Sequence, residues 1–292
     1  MSKIFEALQR SVSEQSGNSL AETASVATEL LRETASGSNL ERCASLTPAL
    51  SASDRAIAIK DPGAIAAEKF RVLGVRLRQL RQQRELKKVL VTSALPEEGK
   101  SVVALNLAST LARVKQTRVL LVEGDMRKPT IRTELGLPAI KGLTEWLRAD
   151  LPLSEVLHRI TPPGFWLLPA GEPLSNPLEL MQSGRLAALL DQLTEAFDWI
   201  IIDSTPMLPI ADTSIWTRLS DGILMVVREG TSERRQLRKA LEAIDNSAFI
   251  RIVLNGASNA EHSSYYAYYA GAHDNRSPKP TNHPTNTRST EV

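Results

Sequence analysis

A short apolar stretch that leads through a loop into a helix is the feature that most constrains the fold. The stretch KVLVTS at 88–93 has the composition of a buried strand, and a helical pattern covers residues 100–114. The loop between them ends in Gly99, Lys100 and Ser101. Backbone N–H groups in such a loop, and at the start of the following helix, bind phosphate oxygens. The segment therefore predicts a phosphate-binding loop.

The loop also carries the side chains that a nucleoside triphosphate needs. Lys100 is placed to reach the β- and γ-phosphates, and Ser101 to offer its hydroxyl to Mg²⁺. Ala94 stands where the standard pattern begins with glycine, and the sequence leaves open whether Glu97 and Glu98 face solvent or repel the nucleotide. ATP and Mg²⁺ are the expected cofactors. The predicted nucleotide-binding residues of the loop are Ala94, Glu98, Gly99, Lys100, Ser101 and Val102.

Strand and helix patterns alternate along most of the chain. The predicted strands are residues 88–93, 118–124, 165–171, 199–203, 222–227 and 250–255. Helical patterns precede the first strand, from residue 61, and lie between most of the others, at 100–114, 177–197 and 233–245. Strands that are apolar throughout and alternate with helices predict a mostly parallel sheet that is covered on both faces. The predicted fold class is therefore α/β, of the P-loop NTPase type.

Composition indicates the class of protein, the compartment and the kinds of partner to expect. Of 292 residues, 42% are hydrophobic and 23% are charged, which is ordinary for a soluble globular protein. The net charge of +2 gives no argument for a nucleic-acid partner. Cys43 is the only cysteine, so a reducing compartment is expected. No apolar run approaches the ~20 residues that span a bilayer, so we expect membrane association to be peripheral or through a partner.

Acidic residues end two of the predicted strands. Asp203 ends WIIID, where it is either a Walker-B metal ligand or a cap of the next helix. Glu123 and Asp125 flank Gly124 at the end of the strand predicted at 118–124, and Arg127 comes two residues after Asp125. Ligands bind at the carboxyl ends of parallel strands, where two acids and an arginine can hold hydrated Mg²⁺, accept a proton and contact phosphate.

These motifs resemble those of the bacterial tyrosine kinases (BY-kinases), a family tied to capsule and exopolysaccharide assembly. SALPEEGKS resembles the family's phosphate loop, VEGDMRKP its D-x-D-x-R motif, and IIIDSTP its D-x-x-P strand. LPAGEPLSNPLELM at 168–181 resembles a connecting segment. YYAYY resembles the tyrosine-rich tail and contains every tyrosine of the chain, although in isolation it reads as a low-complexity tail. The resemblance covers about residues 60–270.

The resemblance implies a role for each matching residue. Lys100 would bind the phosphates, and Ser101, Asp125 and Asp203 would organise the metal. Arg127 would support the phosphate region. Glu123 stands where the family has aspartate and would help to deprotonate the incoming tyrosine. Asn255, which ends the last strand, is either an adenine contact or an ordinary turn residue. The implied phosphate acceptors are Tyr265, Tyr266, Tyr268 and Tyr269.

The resemblance also implies an activity and partners. The chain would be an ATP-dependent autokinase that phosphorylates its own tail between subunits and regulates exopolysaccharide synthesis and export. The family self-associates through an E-x-x-R-x-x-R helix; Glu68 and Arg71 match it, and Gly74 stands at the last arginine. Implied partners are a transmembrane polysaccharide chain-length regulator (Wzz-like) as activator and a protein-tyrosine phosphatase, with no nucleic acid. The expected location is cytoplasmic, at the inner face of the plasma membrane through a partner.

The predicted organisation has three parts, and two further functions stay open. Residues 1–60 are expected to form an N-terminal helix and a flexible linker, 61–258 the P-loop kinase domain, and 259–292 a disordered tail. The N-terminal helix is either a docking helix or an ordinary one. One alternative is an ATPase switch of the ParA/MinD type, although those proteins carry an extra lysine early in the loop. The other is a catalytically weak nucleotide-binding scaffold of an export complex.

Overall fold

A single eight-stranded sheet organises the computed structural model, which describes residues 40, 42–51, 55–149, 151–208, 211–244 and 248–257. The strands are β1 (Ala44–Leu46), β2 (Lys88–Ser93), β3 (Val119–Glu123), β4 (His158–Ile160), β5 (Phe165–Leu168), β6 (Trp199–Asp203), β7 (Gly222–Arg228) and β8 (Phe249–Asn255). Their spatial order is β1-β4-β5-β3-β6-β2-β7-β8. Only the β4–β5 pair is antiparallel among these strands, which confirms the predicted mostly parallel α/β fold.

Helices cover both faces of the sheet. They are α1 (Ile57–Lys60), α2 (Ile65–Arg81), α3 (Lys100–Ala112), α4 (Ile131–Glu134), α5 (Leu143–Arg148), α6 (Leu153–Val156), α7 (Leu178–Met181), α8 (Arg185–Ala196), α9 (Asp212–Leu219) and α10 (Arg234–Glu242). Alternate side chains of each strand enter different cores. In β6, Ile200 and Ile202 pack with α8 and α9, whereas Trp199 and Ile201 pack with α2 and α3. The central strands are therefore buried on both sides.

The sequence patterns located the central strands better than the edges. The bounds of β2 and β6 agree with the prediction, and those of β3, β5, β7 and β8 differ by one to three residues. The pattern at 177–197 is two helices, α7 and α8, because Gly184 adopts a left-handed φ of 77° between them. The strands β1 and β4 were missed, since three residues are too few to show a period.

Residues before the predicted domain boundary at 61 take part in this fold. β1 pairs with β4, and the buried side chain of Asn106 in α3 holds the segment around α1. Its Oδ1 accepts the Ala58 N–H at 2.8 Å, and its Nδ2 donates to the Arg55 carbonyl at 2.9 Å. β1 and the segment around α1 thus make specific contacts with β4 and α3. The three-part division as a whole stays a prediction.

Several predictions fall on residues that the structure does not describe. They are the N-terminal helix, most of the linker, and the phosphate acceptors Tyr265, Tyr266, Tyr268 and Tyr269. Within the part of the chain that is described, no helix is both long enough and apolar enough to cross a membrane.

Replacing the buried amide of Asn106 tests how the segment around α1 is held. In Asn106→Leu, the Ala58 N–H and the Arg55 carbonyl lose their partner, so we expect the free energy of unfolding to fall by about 2–4 kcal/mol. Urea titration measures it. The control is Gln79→Leu, which removes an amide from an exposed position on α2. Equal effects of the two substitutions would contradict this role for Asn106.

Candidate active site

The phosphate loop connects β2 to α3 at the carboxyl edge of the sheet. Its last residue, Gly99, has a φ of 91°, in the left-handed region that favours glycine. A side chain there would also collide with Asn255, because a Cβ would lie 2.1 Å from the Asn255 Nδ2. Lys100 and Ser101 begin α3, as the sequence predicted, and Val102 follows in the same turn. Ala94 is buried directly after β2.

Lys100 forms an ion pair with Asp125 across the strand ends. The Lys100 Nζ lies 3.2 Å from the Asp125 Oδ2, and both side chains are largely buried. Burial opposes the charged ammonium, but the carboxylates of Asp203 and Asp125 outweigh this effect and raise the pKa of Lys100. The other oxygen of Asp125 accepts the Lys128 N–H at 3.0 Å. Lys100 is therefore fully charged near neutral pH and is held in the site before any ligand binds.

Asp203 ends β6 with its carboxylate completely buried. β6 lies between β3 and β2 at the centre of the sheet, so Asp203 is adjacent to both motifs. Neither of its oxygens has a hydrogen-bond partner of normal geometry among the described residues. Burial raises the pKa of Asp203 to about 7, against the opposing effects of Lys100 and the Ser101 hydroxyl. A buried carboxylate with free oxygens beside a hydroxyl is a hard oxygen donor set, which fits Mg²⁺.

The small number of protein ligands at this site is consistent with Mg²⁺. In the described part of the chain, no three His, Cys, Asp or Glu side chains are grouped so that they could hold a metal. Mg²⁺ commonly uses one or two carboxylates and completes its octahedron with phosphate oxygens and water. The residues present, Asp203 and Ser101 with Asp125 nearby, fit that pattern.

Glu123 is placed differently from its predicted role. Its Oε1 accepts the N–H groups of Thr130 and Ile131, each at 2.7 Å, and its Oε2 accepts that of Ala170 at 3.1 Å. The side chain is buried, and burial raises the pKa of Glu123 despite these bonds. Both oxygens are thus engaged with backbone, which does not favour a base that reaches the substrate. Glu123 instead holds the loop after β3 against the strand next to it.

Arg127 also turns away from the phosphate loop. Its guanidinium forms two hydrogen bonds with the buried carboxylate of Asp212, at 2.6 and 3.1 Å, and a third with the Ser175 carbonyl. The carboxylate raises the pKa of Arg127. These contacts hold the loop that contains Asp125, and direct support of the phosphate region by Arg127 stays a prediction. The sequence analysis missed Asp212, although an acid nine residues after Asp203 was a visible signal.

Gly124, between the two acids, allows the strand ends to approach each other. Its N–H donates to the Asp203 carbonyl at 2.7 Å, and its own carbonyl accepts the Trp216 indole N–H at 3.2 Å. A Cβ at this position would lie 2.6 Å from the Trp216 ring. Glycine is required here because of this close contact.

The structure also answers the question about the two loop glutamates. Glu98 is buried and faces the protein: its Oε2 accepts the Leu95 N–H at 2.9 Å, and its Oε1 accepts the Ser232 hydroxyl. Glu97 is exposed. The Asn255 Nδ2 donates to the Glu98 carbonyl at 2.9 Å. Glu98 and Asn255 are thus next to the predicted phosphate site, and their contacts are with the loop.

The predicted self-association residues lie on the exposed face of α2. Glu68 and Arg71 form an ion pair with each other, and Arg71 donates to the Pro62 carbonyl at 2.8 Å. Gly74 is on the buried face, where a Cβ would lie 3.4 Å from the Leu111 side chain. At this position α2 packs against α3, so the residue faces the neighbouring helix rather than solvent.

Sheet, loop and acidic strand ends together define a nucleotide-binding protein of the P-loop class. No protein-family profile matches the chain. Tyrosine-protein kinase YwqD of Bacillus subtilis (strain 168) is 33% identical over 221 residues, which is 75% of this chain and 92% of the relative. The succinoglycan biosynthesis transport protein ExoP of Rhizobium meliloti (strain 1021) is 33% identical over 72% of this chain, but the match spans 27% of ExoP.

Solved structures agree with these relatives. The kinase domain of Escherichia coli tyrosine kinase ETK superposes with a TM-score of 0.62 at 26% identity, covering 70% of this chain and 82% of that domain. The chain therefore belongs to the bacterial tyrosine-protein kinases, and it is a protein-tyrosine kinase. The MinC:MinD complex of Aquifex aeolicus has a TM-score of 0.50 at 19% identity, covering 64% of this chain and 72% of that chain, and shares the fold alone.

The raised pKa of Asp203 predicts a pH dependence of stability in EDTA. The folded chain holds the Asp203 proton up to about pH 7, whereas the ordinary value is 3.8, so the folded state binds this proton more tightly than the unfolded state. Protonated Asp203 therefore stabilises the folded state at low pH. This stabilisation is lost as the pH rises from 3.8 to about 7, and above that range Asp203 causes no further change in stability. Asp203→Asn removes this loss, and Asp191→Asn, at an exposed site, is the control.

Urea titrations between about pH 4.5 and about pH 8.5 measure the effect. We expect the stability of Asp203→Asn relative to wild type to rise with pH up to neutrality and then to level off. Parallel pH curves for wild type and Asp203→Asn would contradict the assignment.

Replacing Glu123 with glutamine separates a structural role from a base. An amide cannot accept all three N–H groups, so we expect Glu123→Gln to lower the free energy of unfolding by about 1–3 kcal/mol. We expect kcat per folded molecule to fall by less than about tenfold, whereas loss of a general base costs roughly 10²–10⁴-fold. Unchanged stability with a loss in that larger range would restore the base role. Glu155→Gln, which removes an exposed partner of Lys141, is the control.

Proposed function

We propose that this kinase transfers the γ-phosphoryl group of ATP·Mg²⁺ to the tyrosines of its own C-terminal tail, between two copies of the chain. The observation that carries the proposal is the grouping of Lys100, Ser101, Asp125 and Asp203 at one edge of the sheet. The tail supplies four clustered acceptors, Tyr265, Tyr266, Tyr268 and Tyr269, which are all the tyrosines of the chain.

Each residue of the group has a physical task in this reaction. The ammonium of Lys100 binds the β- and γ-phosphates, and its ion pair with Asp125 weakens when it does so. Ser101 and Asp203 would hold the metal, and a bound cation would offset the cost of burying the Asp203 carboxylate. When bound, Mg²⁺ neutralises charge on the phosphate oxygens. The N–H groups of the loop and of the first turn of α3 bind the remaining phosphate oxygens.

Asp125 takes over the role that the sequence predicted for Glu123. Its carboxylate faces Lys100, and its orientation is fixed by the Lys128 N–H. Phosphoryl transfer has a loose transition state, so the phenol proton can leave late and needs only a nearby carboxylate. Glu123 and Arg127 contribute by holding the segment in which Asp125 lies.

Self-association brings the tail of one copy to the site of another. The exposed face of α2 carries Glu68 and Arg71, and the partly exposed apolar side chains Val72 and Val75 lie on the same helix. We place the interface between subunits there. Each phosphotyrosine adds about −1.5 to −2 charges, so phosphorylated tails repel one another and favour dissociation.

The biological setting follows from the relatives. ExoP is named as a transport protein of succinoglycan biosynthesis, and we place this chain in the synthesis and export of a surface polysaccharide. It would act at the inner face of the plasma membrane with a transmembrane chain-length regulator as activator and a protein-tyrosine phosphatase as its opponent. The loop contains no lysine before Lys100 and the MinD likeness is of the fold alone, so no observation favours an ATPase switch.

Removing the Lys100 ammonium tests the proposed reaction. We expect purified wild-type protein with ATP and Mg²⁺ to acquire phosphate on the tail tyrosines, and Lys100→Ala to lose this by more than about 10²-fold. Mass spectrometry of tryptic peptides measures the sites. Lys141→Ala removes an exposed lysine that pairs with Glu155 and should leave phosphorylation unchanged. A wild-type tail without phosphate, or a Lys100→Ala tail that is phosphorylated normally, would refute the proposal.

A further inference from the structure

The ends of β7 and β8 hold the phosphate loop by two of its carbonyl groups. The Arg228 Nη1 donates to the Glu97 carbonyl at 3.2 Å, and the Asn255 Nδ2 donates to the Glu98 carbonyl at 2.9 Å. Arg228 is the last residue of β7, and Asn255 is the last residue of β8. Neither residue belongs to the motifs that bind phosphate in the proposed function.

These two bonds fix the direction of the N–H groups that follow. A trans peptide unit is planar, so the carbonyl of one residue and the N–H of the next point in opposite directions. The Glu97 carbonyl points toward β7, so the Glu98 N–H points away from β7. Likewise, the Glu98 carbonyl points toward β8, so the Gly99 N–H points away from β8. Without the two donors, either peptide could rotate and present a carbonyl oxygen to a phosphate, which would repel it.

The rest of the loop is consistent with a conformation that is held from outside. Glu97 has a φ of 65°, which is strained for a residue other than glycine. The Glu98 carboxylate is bonded to the Leu95 N–H and to the Ser232 hydroxyl, which fixes the same peptide from its side chain. The N–H groups of Gly99, Lys100 and Ser101 donate to no residue that the structure describes. They are thus left available to an anion.

We propose that Arg228 and Asn255 are positioning residues that set the phosphate-binding conformation of the loop by anchoring the Glu97 and Glu98 carbonyls. Asn255 acts through the loop rather than on the adenine base. The inference rests on the proposed phosphate role of this loop. It also connects that loop to the end of the last strand, β8.

The test compares ATP with a probe that has no base, tripolyphosphate, each as its Mg²⁺ complex in calorimetric titrations. In Asn255→Asp a carboxylate oxygen replaces the donor and faces the Glu98 carbonyl. We expect it to weaken ATP and tripolyphosphate by the same factor, roughly three- to tenfold. An adenine contact would instead weaken ATP and leave tripolyphosphate unchanged, which would overturn the proposal.

Arg228 provides a second arm with a matched control. Arg228→Gln removes the Nη1 donor, because the glutamine amide is two bonds shorter and does not reach the Glu97 carbonyl, and it removes one positive charge. Arg251→Gln removes the same charge from the exposed face of β8 and no bond to the loop. We expect Arg228→Gln to weaken both ligands by roughly threefold and Arg251→Gln to have little effect. Arg228→Lys keeps a donor and should restore part of the affinity. Equal effects of the two glutamine variants would show that Arg228 acts only through the attraction of its positive charge for phosphate, which would contradict the proposal.

Kinetics distinguish positioning from a structural role. The anchored N–H groups bind phosphates equally in the ground and transition states, so the KM for ATP should rise as the dissociation constant does, and kcat at saturation should change by less than about twofold. Thermal unfolding verifies that each variant is folded; if Asn255→Asp is not, the exposed Arg228 decides the outcome.

Lys100→Ala separates this inference from the proposed function. If wild type binds neither ligand, or if Lys100→Ala binds both as well as wild type does, the proposed function fails. If Lys100→Ala loses binding while Asn255→Asp and Arg228→Gln match wild type, only the positioning role fails.

Discussion

The buried charge group at the carboxyl edge of the sheet is the constraint on which the rest of the site depends. One ammonium, that of Lys100, lies among the carboxylates of Asp125, Asp203 and Glu123, all largely removed from water. A single cation cannot compensate three buried acids, and burial keeps the pKa values of Asp203 and Glu123 high. The site therefore has a deficit of positive charge that a divalent cation would remove. In this account, the electrostatic cost of the unliganded site becomes affinity for Mg²⁺ and nucleotide.

The surrounding structure holds these charged side chains next to one another. Parallel pairing aligns Glu123 with Asp203 on adjacent strands, and Gly124 lets the Trp216 ring approach them closely. Two acids are used for support: Glu123, a member of this group, binds three backbone N–H groups, and Asp212, outside it, binds Arg127. On the other side, the ends of β7 and β8 anchor the phosphate loop. Charged residues thus serve two purposes here, and only some of them face the ligand.

The sequence was sufficient for the fold and for the location of the site. Long apolar strands, such as β2 and β6, carry a strong pattern because both faces are buried, and the loop before Lys100 has a fixed relation to them. Directions of side chains were not predictable. The spacing of Glu123, Asp125 and Arg127 places all three at the end of β3 or just after it. Three of their partners, however, come from segments 45 or more residues away, namely Ala170, Ser175 and Asp212. The short strands β1 and β4 were not predictable either, because they depend on tertiary pairing with other strands.

A mixing experiment tests whether the phosphoryl group is transferred between two copies of the chain. One chain carries Lys100→Ala with its tyrosines intact; the other has an intact site and phenylalanine in place of the tyrosines, at positions Tyr265, Tyr266, Tyr268 and Tyr269. Neither should label itself. We expect the mixture, given ATP and Mg²⁺, to accumulate phosphotyrosine on the Lys100→Ala chain at a rate that rises with protein concentration. An unlabelled mixture, under conditions in which wild type phosphorylates its tail, would contradict transfer between copies.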